Sequence, residues 1–144
     1  MPLMYVNAPE GTFSDTARDA LAEELTVIAL ESEKLPMAPF DKSTTWIYFN
    51  TFAPGRVYHG GQPGGTKVIS LEINAFRGGL DEAAKLSLYK RITQVIRKRA
   101  GIPDNALAPV YIVLREVEPQ NWGVFGGTTK IEELRTPHPD LPPI

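Results

Sequence analysis

Four short stretches of the chain are rich in apolar, β-branched and aromatic residues, and turn-forming residues separate them. The third has the clearest pattern, because Ile69, Leu71 and Ile73 alternate with Ser70 and Glu72. Alternation with a period of two gives a strand one apolar face. We therefore predict four β-strands, over residues 3–8, 44–51, 67–76 and 109–115.

Two longer segments repeat apolar residues at helical spacing. The first begins after Ser14, a good N-cap, and we predict a helix over about residues 14–34. The second opens with Asp81 and Glu82 and ends before Gly101, so its charges and its terminal glycine fit the helix dipole and capping rules. Its apolar stripe consists of Ala84, Leu88, Ile92, Val95 and Ile96.

These elements follow one another in the order βαββαβ, and like elements are offset by about 65 residues. The spacing predicts an α/β (α+β) fold of two βαβ units in tandem, with pseudo-two-fold symmetry. A four-stranded sheet would carry both helices on one face. We expect one domain over residues 1–127, with units at 2–52 and 66–127, and a proline-rich tail over 128–144.

Two helices cover only one face of such a sheet, which leaves an apolar second face. We expect a homo-oligomer to bury it. The aromatic residues assigned to this surplus are Tyr5, Trp46, Tyr48, Phe49, Phe52 and Tyr111.

The remaining segments are irregular. Residues 54–65 are rich in Gly and Pro and predict a turn-rich excursion between the two units. Residues 116–127 combine glycine with Trp122 and Phe125, which suits an aromatic wall over a pocket. We expect the tail to be extended, and either to lie on a neighbouring subunit or, as we slightly favour, to be disordered.

Charge and composition narrow the function. The 144 residues carry a net charge of -2, which argues against nucleic acid and anionic membrane as partners. There is no cysteine, and the two histidines, His59 and His138, lack a ligand spacing, so we expect no metal and no disulfide. We expect a cytoplasmic protein without a membrane span.

The acidic residues of the first helix predict solvated surface: Glu23, Glu24, Glu31 and Glu33.

The strongest candidate for chemistry is Pro2, which leads directly into the first predicted strand. A small second residue usually permits removal of Met1, and Pro2 would then carry a free secondary amine. Burial disfavours a protonated amine, so the pKa of this amine would fall toward neutral, where a base is most useful. The alternative is that Pro2 is only a tolerated first residue of an edge strand.

Pro2 leading a strand, the doubled βαβ unit and an Asn-Trp-Gly segment after the last strand resemble the tautomerase superfamily. Residues 52–65, followed by a strand and Phe76-Arg77, look most like the cis-3-chloroacrylic acid dehalogenase group. The resemblance covers about residues 2–127. It implies a catalytic amine at Pro2, a homo-oligomer such as a trimer, no cofactor, and Arg77 as the binder of a substrate carboxylate. The alternative for Arg77 is a solvated charge at a strand end.

The chain departs from that group where water would be activated. A second arginine is replaced by Leu80, a histidine by Ala29, and the acid that activates water would fall near Val124. The strand-four tyrosine slot falls at Val113, with Tyr111 two residues earlier. Glu116 and Glu118 are close in sequence, but they do not stand in the matching place. We therefore expect dehalogenase activity to be weak or absent.

Proton transfer alone needs fewer groups. The resemblance implies a cofactor-independent keto-enol tautomerase, like those acting on 4-oxalocrotonate or phenylenolpyruvate, in which Pro2 is the general base and acid and Arg77 holds a small carboxylated enol or 2-hydroxydienoate. Further candidates for substrate contacts are Trp122, Phe125, Tyr111, His59 and Arg56, and the last two can serve either their own subunit's site or that of a neighbour. Plain packing or solvation is the alternative for each. The other functions left open are a hydratase or dehalogenase of 3-haloacrylate-like acids, and a non-catalytic binding oligomer.

Overall fold

The computed structural model of the protein describes residues 1–63 and 68–144. The start of the predicted third strand, at residue 67, lies outside the described residues. Six strands are present: β1 (Leu3–Pro9), β2 (Trp46–Phe52), β3 (Tyr58–His59), β4 (Gln62–Pro63), β5 (Ile69–Phe76) and β6 (Val110–Val117). Four helices accompany them: α1 (Asp15–Glu33), α2 (Pro39–Ser43), α3 (Glu82–Arg99) and α4 (Ile131–Leu134).

The main sheet has the strand order β2-β1-β5-β6. Strand β1 runs parallel to β2 and antiparallel to β5, and β5 runs parallel to β6. Each βαβ unit therefore closes with a parallel pair, and the two units meet where β1 pairs with β5. This arrangement confirms the predicted fold of two βαβ units around a four-stranded sheet.

The core lies between one face of this sheet and the two long helices. Met4 and Val6 on β1 and Leu71 on β5 are at most 1% exposed, and they belong to the same apolar cluster as Leu21 on α1 and Leu88 on α3. Burial of each such side chain contributes roughly 1.5–3 kcal/mol to stability. Both helices lie on the same face, as the sequence predicts.

The ends of the long helices follow their capping residues. Ser14 Oγ accepts a hydrogen bond from the Ala17 N–H at 3.1 Å, and Asp81 Oδ1 accepts one from the Ala84 N–H at 2.7 Å. Each bond satisfies a backbone donor that the first helical turn leaves without a partner. The sequence therefore located both helix starts correctly.

The second face of the sheet is uncovered in the single chain, and it carries exposed aromatic residues beside polar ones such as Asn7 and Glu72. Trp46 and Tyr48 on β2 are 48% and 49% exposed, and Tyr111 on β6 is 80% exposed. Tyr48 stacks on Tyr5 with ring centroids 5.4 Å apart. Phe49 was wrongly assigned to this face, because it alternates to the helix side and packs edge-on against Phe13.

The segment between α1 and β2 contains the short helix α2, and the tail differs from prediction. The tail is neither disordered nor simply extended: it contains α4, and its Ile131 is only 4% exposed. Ile131 packs with Leu30, Leu35 and Phe76, so apolar residues spread over three distant segments hold the tail on its own chain. Among the described residues, no helix is both long and apolar enough to cross a bilayer.

Candidate active site at the start of the chain

The first residues of the chain are fixed by the sheet. Pro2 is buried, and its carbonyl accepts a hydrogen bond from the Trp46 N–H at 3.2 Å. Leu3 then pairs with Trp46 on one side and with Asn74 on the other. Because β1 is a central strand, the nitrogen of Pro2 is held in one place within the protein.

Two cavities meet at Met1. One, of about 240 Å³, is lined by Met1 and Pro2 together with Trp46, Trp122 and Phe125. The other, of about 260 Å³, has Met1 and Phe125 in its wall together with residues of α2 and of the tail. Met1, Thr44, Val124 and Phe125 line both cavities, and Met1 is the residue bonded to the Pro2 nitrogen.

The amine at the chain start is enclosed. Its nitrogen, on Met1, lies 3.9 Å from Oε2 of Glu33. Burial lowers the pKa of this amine from its usual 8.0, and the negative charges of Glu33 and Asp41 partly oppose the shift. An amine at this position therefore loses its proton more readily than an exposed one.

Glu33 is the most deeply buried acidic residue of this region, at 2% exposure. Burial raises the pKa of its carboxyl above 4.5, and the chain-start amine, Arg135 and the Phe76 backbone partly offset that rise. Neither carboxyl oxygen accepts a hydrogen bond of normal geometry from the described residues. The expectation that Glu33 belongs to the solvated face of the first helix is therefore wrong.

Local packing holds Glu33 in this position. It is the last residue of α1, and its carbonyl accepts a hydrogen bond from Nε of Arg135 at 3.1 Å. A Cβ on Gly79 would lie 2.9 Å from Glu33 Oε1, which is closer than real Cβ contacts. Gly79 therefore leaves the space that the carboxyl occupies.

A second acidic residue approaches from α2. Asp41 is 6% exposed, and its Oδ1 lies 3.4 Å from Nδ1 of His138 in the tail. His138 also packs edge-on against Phe40, with centroids 5.7 Å apart. Asp41 and His138 line the same cavity as Met1, so the tail forms part of this site.

The predicted aromatic wall lies beside Pro2. Trp122 stacks on Phe76, with ring centroids 4.7 Å apart and planes 17° from parallel. Phe125 has a left-handed backbone with φ of 50° and is 67% exposed. Both side chains line the cavity that contains Pro2, and their contacts with a substrate stay predictions.

Arg77 lies one residue beyond Phe76 and is 64% exposed. Its Nη1 forms an ion pair with Oε1 of Glu118 at 2.7 Å, and it does not line either cavity at Met1. The structure therefore does not bring Arg77 into contact with Pro2, and its role stays a prediction. Leu80 and Ala29, which replace polar residues of the resembled group, are buried in the core.

The other predicted contact residues lie elsewhere. Tyr111, His59 and Arg56 line a separate groove of about 930 Å³. That groove includes Asn7 and Ala8, at the opposite end of β1 from Pro2. Within one chain, the structure does not bring these three residues together with Pro2.

Sequence reasoning missed Glu33, Asp41 and His138. A usable signal was the length of the tail together with its apolar Ile131 and Leu134, which predict a packed segment more than a free one. No group of three or more His, Cys, Asp or Glu side chains within residues 1–63 and 68–144 has a geometry that would hold a metal ion. The chemistry available here is proton transfer between an amine and carboxyl groups.

Comparison with known proteins agrees with this geometry. The family model for tautomerase enzyme matches residues 70–130. No curated protein sequence matches the chain. Many solved structures do match, at identities that establish the fold alone.

Three of these structures illustrate the likeness. A wild-type symmetric trimer of the fused 4-OT named Q0 has a TM-score of 0.71 at 20% identity, covering 87% of this chain and 93% of that chain. The crystal structure of N1, a member of the cis-3-chloroacrylic acid dehalogenase family, has a TM-score of 0.73 at 18% identity, covering 89% and 83%. The macrophage migration inhibitory factor-like protein of Entamoeba histolytica has a TM-score of 0.68 at 20% identity, covering 89% and 98%.

The sheet order and these structures show that the chain has the fold of tautomerase-superfamily proteins, and residues 70–130 match the tautomerase family model.

Proposed function

We propose that this protein is a cofactor-independent keto-enol tautomerase in which the amine of Pro2, freed by removal of Met1, is the general base. The observation that carries this proposal is the buried position of Pro2 at the start of β1, next to the Met1 amine, whose pKa burial lowers. A base works best when its pKa lies near the working pH. The tautomerase family match over residues 70–130 supports the same reaction class.

Removal of Met1 would also create the substrate site. Met1 lines both cavities at the chain start, of about 240 and 260 Å³, so its loss would join them in front of the Pro2 nitrogen. Trp122 and Phe125 would flank the joined space and keep water away from it. A low local dielectric further favours the neutral amine.

The proposed substrate is a small carboxylated enol or 2-hydroxydienoate, and Arg77 is its carboxylate anchor. Arg77 sits next to Phe76, on which Trp122 stacks at the rim of the cavity. Its present partner is Glu118, and both side chains are partly exposed. Exposed ion pairs contribute only about 0–1 kcal/mol, so a substrate carboxylate can replace Glu118 on the guanidinium fork.

We further propose that the protein forms a homo-oligomer, most simply a trimer. The solved Q0 fused 4-OT is a symmetric trimer with the same fold. The uncovered face of this sheet, with Trp46, Tyr48 and Tyr111, gives a subunit interface its apolar surface. In such an assembly, the groove residues Tyr111, His59 and Arg56 would act on a neighbour's site instead of their own.

The test is ketonisation of phenylenolpyruvate or 2-hydroxymuconate, followed by ultraviolet absorbance, on protein whose intact mass shows loss of Met1. We expect Pro2→Ala to lower kcat by at least about 10²-fold, because general acid-base catalysis contributes about that much. Arg77→Ala should mainly raise KM. Arg91→Ala is the matched control, since Arg91 pairs with Glu31 on the helix surface and lines neither cavity at Met1. A wild type no faster than buffer, or a fully active Pro2→Ala, would contradict the proposal.

One observation favours a second candidate, the hydration or dehalogenation of 3-haloacrylate-like acids. Adding water needs an acid-base group besides the proline, and Glu33 is a carboxyl 3.9 Å from the chain-start amine. N1, which shares the fold, belongs to the cis-3-chloroacrylic acid dehalogenase family. Halide release from 3-chloroacrylate by the wild type, absent in Glu33→Gln, would favour this candidate over the tautomerase.

A further inference from the structure

We propose that Glu33 is a second proton-transfer residue of this site, paired with the Pro2 amine across the space that Met1 now fills. The proposal rests on the proposed tautomerase function and adds a group that the sequence assigned to solvated surface. Its basis is the position of the Glu33 carboxyl. The Glu33 side chain is 2% exposed, and its Oε2 lies 3.9 Å from the amine nitrogen of Met1, the residue bonded to Pro2.

One oxygen of the carboxyl, Oε2, lies 3.9 Å from the Met1 amine. The two carboxyl oxygens accept no hydrogen bond of normal geometry from the described residues. Buried polar groups are nearly always hydrogen-bonded, because a buried polar group without a partner destabilises the folded state. A residue with only a structural role would not require this destabilisation. A functional group that must accept and release a proton is a physical reason for such an exception.

The residues around Glu33 fix its position, and among the described residues they leave both carboxyl oxygens without a hydrogen bond of normal geometry. Arg135 donates to the backbone carbonyls of Glu33 and Gly79, at 3.1 and 3.4 Å, and not to the carboxyl. Gly79 keeps the space beside Oε1 open, since any larger residue would place its Cβ 2.9 Å away. The helix end is therefore fixed while the acid remains available for proton exchange.

The proton transfers balance. In ketonisation, the Pro2 nitrogen takes the enol O–H proton, and the electrons of that bond form the carbonyl π bond. The C=C electrons form a new C–H bond with the proton of the Glu33 carboxyl, which is left as a carboxylate. The protonated Pro2 amine then returns its proton to Glu33, so both groups regain their starting states.

Every charged group that faces this pair must be considered in its pH dependence. The amine is influenced by Glu33 and Asp41, and Glu33 by the amine and Arg135. Asp41 in turn lies 3.4 Å from His138. The Glu33 charge raises the pKa of the Met1 amine, and we expect its removal likewise to lower the pKa of an amine at Pro2.

The experiment compares wild type with Glu33→Gln and with Glu31→Gln. Glu31 lies two residues earlier on α1, is 48% exposed, and pairs with Arg91 at the surface, so it is a matched control. Ketonisation kinetics are measured from pH 5 to 9, roughly spanning the usual pKa values of a carboxyl and an amine. In parallel, acetylation of the Pro2 amine by limiting acetic anhydride is followed by peptide mass spectrometry over the same pH range.

We expect Glu33→Gln to lower kcat by about 10²-fold with little change in KM. Its acetylation profile should shift to lower pH, whereas Glu31→Gln should match the wild type in both measurements. Glu33→Asp should have a higher kcat than Glu33→Gln but a lower one than wild type, because it keeps the carboxyl group on a side chain that is one methylene shorter.

The outcomes separate the two proposals. A wild type inactive on both enols overturns the proposed function and, with it, the role of Glu33. An active wild type with an inactive Pro2→Ala, but with Glu33→Gln unchanged in kcat and in acetylation profile, overturns the role of Glu33 alone. A fall in kcat without any shift of either pH profile assigns Glu33 a structural role and also overturns the proposal.

Discussion

At the scale of single residues, the site is defined by a conflict between charge and burial. The chain-start amine and the Glu33 carboxyl are both removed from water, and burial moves the pKa of each toward its neutral form. Each group is also the other's nearest opposite charge, at 3.9 Å. The pair can therefore exist as two ions or as two neutral groups, and the two states differ only in which group holds one proton, which is the property that a proton-transfer site requires.

This conflict predicts how stability depends on pH. The folded state raises the pKa of Glu33 above its usual 4.5, so it binds a proton more tightly than the unfolded chain does. The stabilisation from Glu33 is therefore complete below pH 4.5 and is lost as pH rises through the raised pKa. We expect the free energy of unfolding of wild type, relative to Glu33→Gln, to fall over this window in urea titrations.

The chain-start amine contributes with the opposite sign. Its pKa is lowered from 8.0, so its share of stability increases with pH up to that value. Measuring wild type against Glu33→Gln at each pH gives the contribution of the carboxyl together with its coupling to the amine, and Glu31→Gln should follow wild type throughout. A difference between wild type and Glu33→Gln that stays constant with pH would contradict the raised pKa.

Glu33 also shows what a sequence of this kind does not reveal. It stands among the other acidic residues of α1, and only its contacts distinguish it from them. Those contacts come from Gly79, from the chain start, and from Arg135, which is 102 positions away. Local patterns carry no information about partners so distant, so the place of Pro2 at the start of a strand was predictable and the burial of Glu33 was not.

At the scale of elements, the tail is part of the folded domain. Ile131 on α4 packs with Leu30, Leu35 and Phe76, and His138 reaches Asp41 on α2. The proline content of the tail predicted an extended or disordered segment. The four residues Ile131–Leu134, which precede the prolines of the tail, nevertheless form one helical turn. Packing of a few apolar residues therefore outweighed the local preference of the proline-rich tail for an extended or disordered conformation.

The packing of α4 is testable by truncating its buried side chain. Ile131→Ala should destabilise the protein by about 2–5 kcal/mol, because it leaves a cavity among buried apolar residues. Ile144→Ala is the matched control, since Ile144 is 64% exposed, and it should change stability by less than about 0.5 kcal/mol. Chemical denaturation measures both. Equal and small effects of the two substitutions would show that the tail does not pack as described.

At the scale of the whole molecule, the fold was the most predictable feature. Apolar residues with a period of two gave the strands, and residues with helical spacing gave α1 and α3. The same patterns implied a second apolar face, which the structure leaves uncovered with Trp46, Tyr48 and Tyr111 exposed. What the sequence did not provide was the position of the groove residues, because a loop's direction depends on packing and not on its own composition.

The uncovered face predicts an assembly that a single charge should disrupt. We expect multi-angle light scattering at micromolar concentration to give wild type a mass of three chains, each of 15.9 kDa. Tyr48→Glu should shift the mass toward one chain, because it buries an unpaired charge in the interface. Lys90→Glu introduces the same residue on an exposed position of α3 and should leave the mass unchanged. A wild type at 15.9 kDa would contradict the proposed assembly.

The central claim is that the Pro2 nitrogen is a neutral, buried base, and its titration tests that claim most directly. Protein labelled with ¹⁵N-proline, with loss of Met1 verified by intact mass, carries one proline nitrogen that titrates, since all the others are amides. We predict that its ¹⁵N shift changes with a midpoint below the usual value of about 8 for a chain-start amine, and that kcat follows the same pH dependence. A midpoint at or above that value, or full ketonisation activity in protein that still carries Met1, would contradict the account.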